Sequence, residues 1–194
     1  MYQIIDNIKD LALQSAVTLI QEKALEEGNT SITPDKYNIN TTPGTPMLIL
    51  LDDKVAGFCS YEPDTYMGTP DIAVRICRLH ILKEYRHNQL GFYFWDHSLK
   101  KAKDDGFKIQ YMTHDVNAKA MNALYEHKRH VPGHSREPYN LDSFKRIKKE
   151  TRFLFDVDPG SEFMQNVYYV DVDNDDYKWT PKTNVIWKGI RATV

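Results

Sequence analysis

Hydrophobic positions along the chain fall first into a short run, Tyr2 to Ile5, and then into a helical spacing: Ile8, Leu11, Ala12, Ala16, Leu19, Ile20 and Ala24. Recurrence at three and four residues sets an apolar stripe on one side of a helix. Asp6 or Asn7 can cap its start, and Gly28 with Asn29 ends it. The next stretch, "NTSITPDKYNINTTPGTP", has neither helical nor strand period and reads as an irregular connection, of a length that often lies over a binding site. Two apolar runs around Asp52, Asp53 and Lys54 then predict a β-hairpin over "MLILLDDKVAGFCSYE".

The run "DIAVRICRLHIL" predicts a longer strand. Strict alternation puts Ala73, Arg75, Cys77, Leu79 and Ile81 on one face, and Val74, Ile76, Arg78 and His80 on the other. Neither face is uniformly apolar. The pattern turns polar from Lys83 to Gln89, then becomes apolar and aromatic through Phe92, Phe94, Trp95, Leu99 and Ala102, a helix that Asp104, Asp105 and Gly106 close. "FKIQYMTHD" follows as a strand and "NAKAMNALYEHK" as a helix, with Ala118, Met121, Leu124 and Tyr125 near one stripe. Strand, helix, strand, helix in this order predicts a βαβ crossover in an α/β domain. Farther on, "RFLFDV", "NVYYVDV" and "NVIWKGI" have strand composition.

Length and composition narrow this picture. A chain of 194 residues suits one compact domain with one active site. Residues 1–155 form its main part, and residues 156–194 add C-terminal strands and an acidic loop to the same domain. The net charge of -2 excludes a grossly basic nucleic-acid binder, yet it conceals two opposed patches. His127 to Arg152 holds eight Lys or Arg against three acids, and Asp156 to Asp176 holds seven acids and no Lys or Arg. Cys59 and Cys77, each inside an apolar run, read as reduced core residues of a cytoplasmic protein. The N-terminus lacks a secretory pattern and no stretch is long and apolar enough for a membrane span, so no membrane contact is expected.

Two segments carry a family resemblance. "LHILKEYRHNQLG" resembles the acyl-CoA-binding segment of the GNAT superfamily of N-acetyltransferases, where a strand ending in L-x-V/I leads through R/Q-x-x-G-x-G/A into a helix. Leu79 and Ile81 match the strand, and Arg86 and Gly91 the loop ends. "VNAKAMNALYEHK" resembles the later N-x-x-A-x-x-x-x-Y-E-K helix through Asn117, Ala120, Tyr125, Glu126 and Lys128. The resemblance covers roughly residues 45 to 130. It implies a mixed, strongly twisted sheet with flanking helices and splayed central strands, and acetyl-CoA (coenzyme A) as co-substrate.

On that resemblance the cofactor-binding residues are Leu79, Ile81, Arg86, His87, Asn88, Gln89, Leu90, Gly91, Phe92 and Asn117. Backbone amides at a helix N-terminus suit a pyrophosphate, Arg86, with Lys83 or His87, can add charge, and the backbone near Ile81 would bond the pantetheine arm. Gln89 stands where the family usually has glycine. Two readings of it stay open: a backbone that avoids positive φ, or phosphates sitting slightly farther out.

Acetyl transfer needs a base, an oxyanion donor and an acid for the leaving thiolate. Tyr125 falls on the family's acid position. Glu62, His80, and His114 or Asp115 are candidates for the base, with deprotonation through ordered water as the alternative. Arg75 occupies the position of the glutamate found in histone-acetylating members, and with Tyr37 it is assigned to acceptor binding. It suits an anionic or amide-rich acceptor, or else pairs with an acid on a neighbouring strand, and Arg78 carries the same two readings. The acceptor is a small-molecule or protein amine, and the chain a monomer or homodimer.

No metal is assigned: Pro132 and Gly133 interrupt His127, His130 and His134, and "DVDNDDYKWTPK" lacks the glycine and glutamate of a calcium loop. Two rival functions remain: a GNAT-fold protein that has lost catalysis and serves in binding or structure, and acyl-CoA-dependent modification of nucleic acid or nucleotide through the basic residues 128–152.

Overall fold

The structure is a computed structural model that describes residues 1–6, 11–29, 32–34, 37–42, 44–64, 69–119, 121–122, 146–153 and 164–173. These contain nine elements, in the order β1 (Tyr2–Ile5), α1 (Leu11–Glu26), β2 (Thr45–Leu51), β3 (Lys54–Pro63), β4 (Ala73–Ile81), α2 (Leu90–Asp104), β5 (Ile109–Asp115), β6 (Lys148–Phe153) and β7 (Met164–Asp171), with a single 3-10 turn at Lys83–Tyr85. They divide into two compact units, Met1–Pro63 with Arg75–Lys101, and Asp64–Val74 with Ala102–Val194.

In the first unit the strands run in the order β1-β2-β3-β4, and β1 to β2 and β2 to β3 are antiparallel. The β2–β3 hairpin closes on Asp52 and Asp53, both left-handed at φ 49° and 62°. Two such residues match the right-handed twist of paired strands, as the polar pair in the sequence predicts.

Ala16, Val17, Ile20 and Ala24 of α1 pack on Leu48 of β2, Phe58 of β3, and Ile32, Tyr37 and Leu82. The spacing of these four defines the buried face, and Leu19 lies off it, 45% exposed. The sequence stripe that includes Leu19 is therefore one position too wide, and Val17 takes its place. α1 ends as the sequence predicts. Gly28, at φ 81°, donates its N–H to Leu25, and Asn29 donates its N–H to Ala24, which is the Schellman arrangement that favours glycine.

β4 departs from strict alternation. Arg78 has φ 57°, a bulge-like conformation that a regular pleat does not allow. As a result the neighbours Cys77 and Arg78 reach the same group of side chains, although alternation assigns them to opposite faces.

The second unit carries β5-β7-β6, antiparallel throughout. Ile109, Gln110, Tyr111 and Met112 are buried in succession, so both faces of β5 are covered. Asp64, fully buried, accepts hydrogen bonds from Tyr111 and Thr69. β6 takes in Arg152 and Phe153 of the predicted strand "RFLFDV" and begins earlier, at the basic residues Lys148 and Lys149, residues 154–157 lying outside the described ones, while β7 coincides with "NVYYVDV". "NVIWKGI" lies outside the described residues.

Candidate functional site

The polar interruption between β4 and α2 is a built loop. Leu82 ends the strand by donating its N–H to Ala56 of β3, and the 3-10 turn follows. His87 and Gln89 are then left-handed, at φ 70° and 61°. The first of the two readings of Gln89 is therefore overturned, because the backbone keeps positive φ where the family has glycine and holds a glutamine there. The Gln89 carbonyl accepts the Phe92 N–H at 2.9 Å, which starts α2 and leaves the amides of Leu90 and Gly91 ahead of the first intrahelical bond. Such amides, with the positive end of the helix dipole, favour an anion.

Holding an L residue at φ near 60° costs about 1 kcal/mol. Gln89→Gly is accordingly expected to raise the unfolding free energy by about that much, read as a higher urea midpoint at unchanged slope.

Lys83, Arg86, His87 and Asn88 of the loop are exposed, and the Asn88 side chain donates to the Tyr85 carbonyl. Arg86 turns back: its Nε donates to the Ile81 carbonyl at 3.0 Å and its terminal nitrogen to Glu27. Within the backbone near Ile81 that is expected to bond a pantetheine arm, the Ile81 carbonyl is thus held by Arg86. Leu79 and Ile81 are half-buried on β4.

His80 sits at the same end of β4, 5% exposed. Asn29 Nδ2 lies 2.9 Å from its Nδ1, so Nδ1 accepts and the proton resides on Nε2, 3.5 Å from Glu27. Both ring nitrogens face the end of α1. Burial pushes its pKa below the usual 6.5, with Glu27 opposing and Arg86 reinforcing the shift. Since the unfolded chain takes up this proton first, His80 costs nothing above pH 6.5 and destabilises the fold as pH falls from 6.5 through the lowered folded pKa. Urea midpoints are expected to drop between pH 7.5 and pH 5.5, and His80→Gln to shrink that drop.

A second group gathers on β3 and β4. Glu62 Oε1 accepts from the Ser60 hydroxyl at 2.6 Å and from Arg78. Arg78 also lies 5.2 Å over the Tyr37 ring and 3.1 Å from Cys77 Sγ. Burial, reinforced by Glu62, pushes the Tyr37 hydroxyl up to about 12 against the opposing Ser60 hydrogen bond. Burial likewise raises Cys77 to about 12 and holds Cys59 well above its usual range. At neutral pH these are a hydroxyl and two thiols, neither bases nor ready nucleophiles. Arg75 is half-buried on the same strand.

The sequence singles out Glu62, Tyr37, His80 and the loop residues, and of the two readings it leaves for Arg78 the pairing with an acid on a neighbouring strand is the one found, with Glu62; it does not single out Glu27, Asn29 or Ser60, which organise these groups. One signal was present. Two glutamates, Glu26 and Glu27, close α1, where the helix dipole disfavours acids, so a compensating cation was to be sought.

In the second unit His114 lies half-buried on β5, its ring 6.1 Å from that of Tyr168. Asn117 follows, its N–H on the Asp115 carboxylate at 2.7 Å. Asn122, one turn into the predicted helix, joins Asn166 and Tyr168 at 3.1 and 3.0 Å. Tyr125 and the three histidines of H-x-x-H-x-x-x-H lie outside the described residues.

The opposed charge tracts meet here. Lys148 binds the buried Asp171 carboxylate at 2.5 Å, and Arg146 the Asp171 carbonyl. Asp173 faces Lys103 and Lys108 at 3.4 and 3.8 Å. Asp171 and Asp173, the first positions of the calcium-like pattern, are thus committed to lysines, and no metal-ligating cluster occurs among the described residues. Among these residues no helix is long and apolar enough to cross a membrane.

The model of the Acetyltransferase (GNAT) family matches residues 13–130. No curated protein matches the chain. Among solved structures, an acetyltransferase of the GNAT family from Staphylococcus aureus Mu50 is similar at TM-score 0.58 and 14% identity, over 89% of this chain and 99% of that one. The ribosomal-protein-S18-alanine N-acetyltransferase from Escherichia coli aligns at TM-score 0.53 and 12% identity, over 92% and 100%. The protein yncA from Salmonella typhimurium, solved with its cofactor acetyl-CoA, aligns at TM-score 0.59 and 12% identity, over 90% and 95%. These likenesses show the fold, the α/β architecture expected from the two motifs.

Proposed function

Because the chain belongs to the acetyltransferase (GNAT) family, whose members use acetyl-CoA, we propose that it transfers the acetyl group of acetyl-CoA to an amine by direct attack of that amine on the thioester. The loop from Leu82 to Gly91 carries this reading. Two left-handed residues within three positions, followed by the amides of Leu90 and Gly91 ahead of the first intrahelical bond, form the kind of donor set that suits a pyrophosphate. Lys83, exposed, supplies its positive charge, the exposed His87 offers a further donor, and Asn88 and the backbone before Phe92 complete its rim. Asn117 is assigned to the same co-substrate by the family motif.

Glu62 is the base in this reading, oriented by Ser60 and Arg78. Its rival His80 has both nitrogens turned to Asn29 and Glu27, and His114 or Asp115 or an ordered water remain the alternatives. Tyr37 and Arg75 line the acceptor side, and Tyr125 protonates the departing thiolate. Direct attack is favoured over relay through a thioester on the protein because both cysteines of the chain are buried and held as thiols.

The test is a titration with acetyl-CoA followed by thiol release across a panel of small-molecule and peptide amines. Saturable binding with acceptor-dependent thiol release is the expected result. No binding, or binding with no thiol release from any amine, would overturn the enzyme reading in favour of a binding or structural role. In the same titration Gln89→Gly is expected to hold or tighten acetyl-CoA, and a weakening would mean that the glutamine side chain is itself a contact.

A further inference from the structure

Glu27 is the residue on which the loop converges from outside. It follows the last turn of α1, only 15% exposed, and its carboxylate receives donors from three places. Oε1 accepts the Lys83 N–H at 3.0 Å, at the entrance of the loop. Oε2 accepts the Arg86 guanidinium and faces His80 Nε2 at 3.5 Å. Arg86 closes the arrangement by bonding the Ile81 carbonyl through Nε. The residue that matches the family's loop arginine is therefore neutralised by Glu27 and braces the strand end.

We infer that Glu27 is a positioning residue for the co-substrate loop, and that Arg86 supports acetyl-CoA binding through Glu27 rather than by touching a phosphate. The inference rests on the reading of the loop as the acetyl-CoA site. A half-buried carboxylate that accepts a backbone N–H and a guanidinium is a directional, charge-assisted tie. It fixes Lys83 and Arg86, the first and fourth residues of the segment whose later amides must converge on the anion.

The experiment compares wild type, Glu27→Gln, Glu27→Asp, Arg86→Gln and the Glu27→Gln/Arg86→Gln double variant. Acetyl-CoA affinity is read by calorimetry, and KM and kcat with an amine found active in the panel. Glu27→Gln is expected to raise KM for acetyl-CoA about tenfold, the size of one charge-assisted hydrogen bond, with kcat within about twofold. Glu27→Asp should restore part of the loss. Arg86→Gln should cost a similar factor alone and less than about twofold more in the Glu27→Gln background.

An unchanged KM in Glu27→Gln, or a full additional loss on removing Arg86 from that variant, would overturn the inference and leave the proposed function standing. Wild-type protein that fails to bind acetyl-CoA would instead remove the proposed function beneath it. Should Glu27→Gln not fold, Glu27→Asp with and without Arg86→Gln closes the same cycle, and additive losses there overturn the inference.

Discussion

Replacing Tyr125 by phenylalanine is expected to lower kcat by about 10²-fold, the lower end of what a positioned general acid contributes, with acetyl-CoA affinity within about twofold of wild type. The phenol hydroxyl is the only group removed, so the loss belongs to the step in which the thiolate departs and needs a proton. Binding of the ground state, which the proposed function assigns to the loop and the start of α2, should hardly move. Steady-state kinetics with an amine acceptor, alongside calorimetric titration of acetyl-CoA, separates the two quantities. Unchanged kcat would remove Tyr125 as the acid, and a fall in affinity that accounts for the whole loss would make it a binding residue.

Gly57→Ala is expected to destabilise the protein by about 3 kcal/mol, the upper part of the range for an overpacked core. Gly57 lies on β3 opposite Ile49. A Cβ there would fall 2.5 Å from Ile81 Cδ1 and 2.8 Å from the His80 carbonyl oxygen. The isoleucine can rotate away, but the carbonyl is backbone and moves only if the end of β4 moves with it. A fall in Tm of roughly 6–12 °C follows for a chain of this size, measured by calorimetry or circular dichroism. Acetyl-CoA affinity should fall as well, because the displaced segment leads into the loop. Wild-type stability in this variant would mean that β3 and β4 have room to separate.

Much of the first unit was legible because its signals are local. The period of α1, the Asp52–Asp53 turn and the polar break before α2 each follow from a few neighbouring residues. The site organisers were less legible, since they pair residues far apart in sequence. No local pattern joins Glu27 to Arg86 or Glu62 to Arg78. Arg78 itself shows why alternation has limits: one left-handed residue in β4 brings Cys77 and Arg78 to common neighbours. The charge tracts misled for a related reason. Lys148 and Asp171 lie in separate runs but on antiparallel partners β6 and β7, so two charges that look opposed along the chain pair across the strands.

The turn that ends α1 has a consequence for how the molecule opens. The same few residues that close the helix, with Gly28 left-handed and Asn29 bonded back to Ala24, also aim Glu27 and Asn29 at His80, Lys83 and Arg86, more than 50 residues away in sequence. Fraying of the helix end and loosening of the loop are thereby expected to be one cooperative opening rather than two. Amide exchange near Ala24 and in the loop should then share a single opening free energy, and whatever tightens the loop should slow exchange at the end of a helix it never touches.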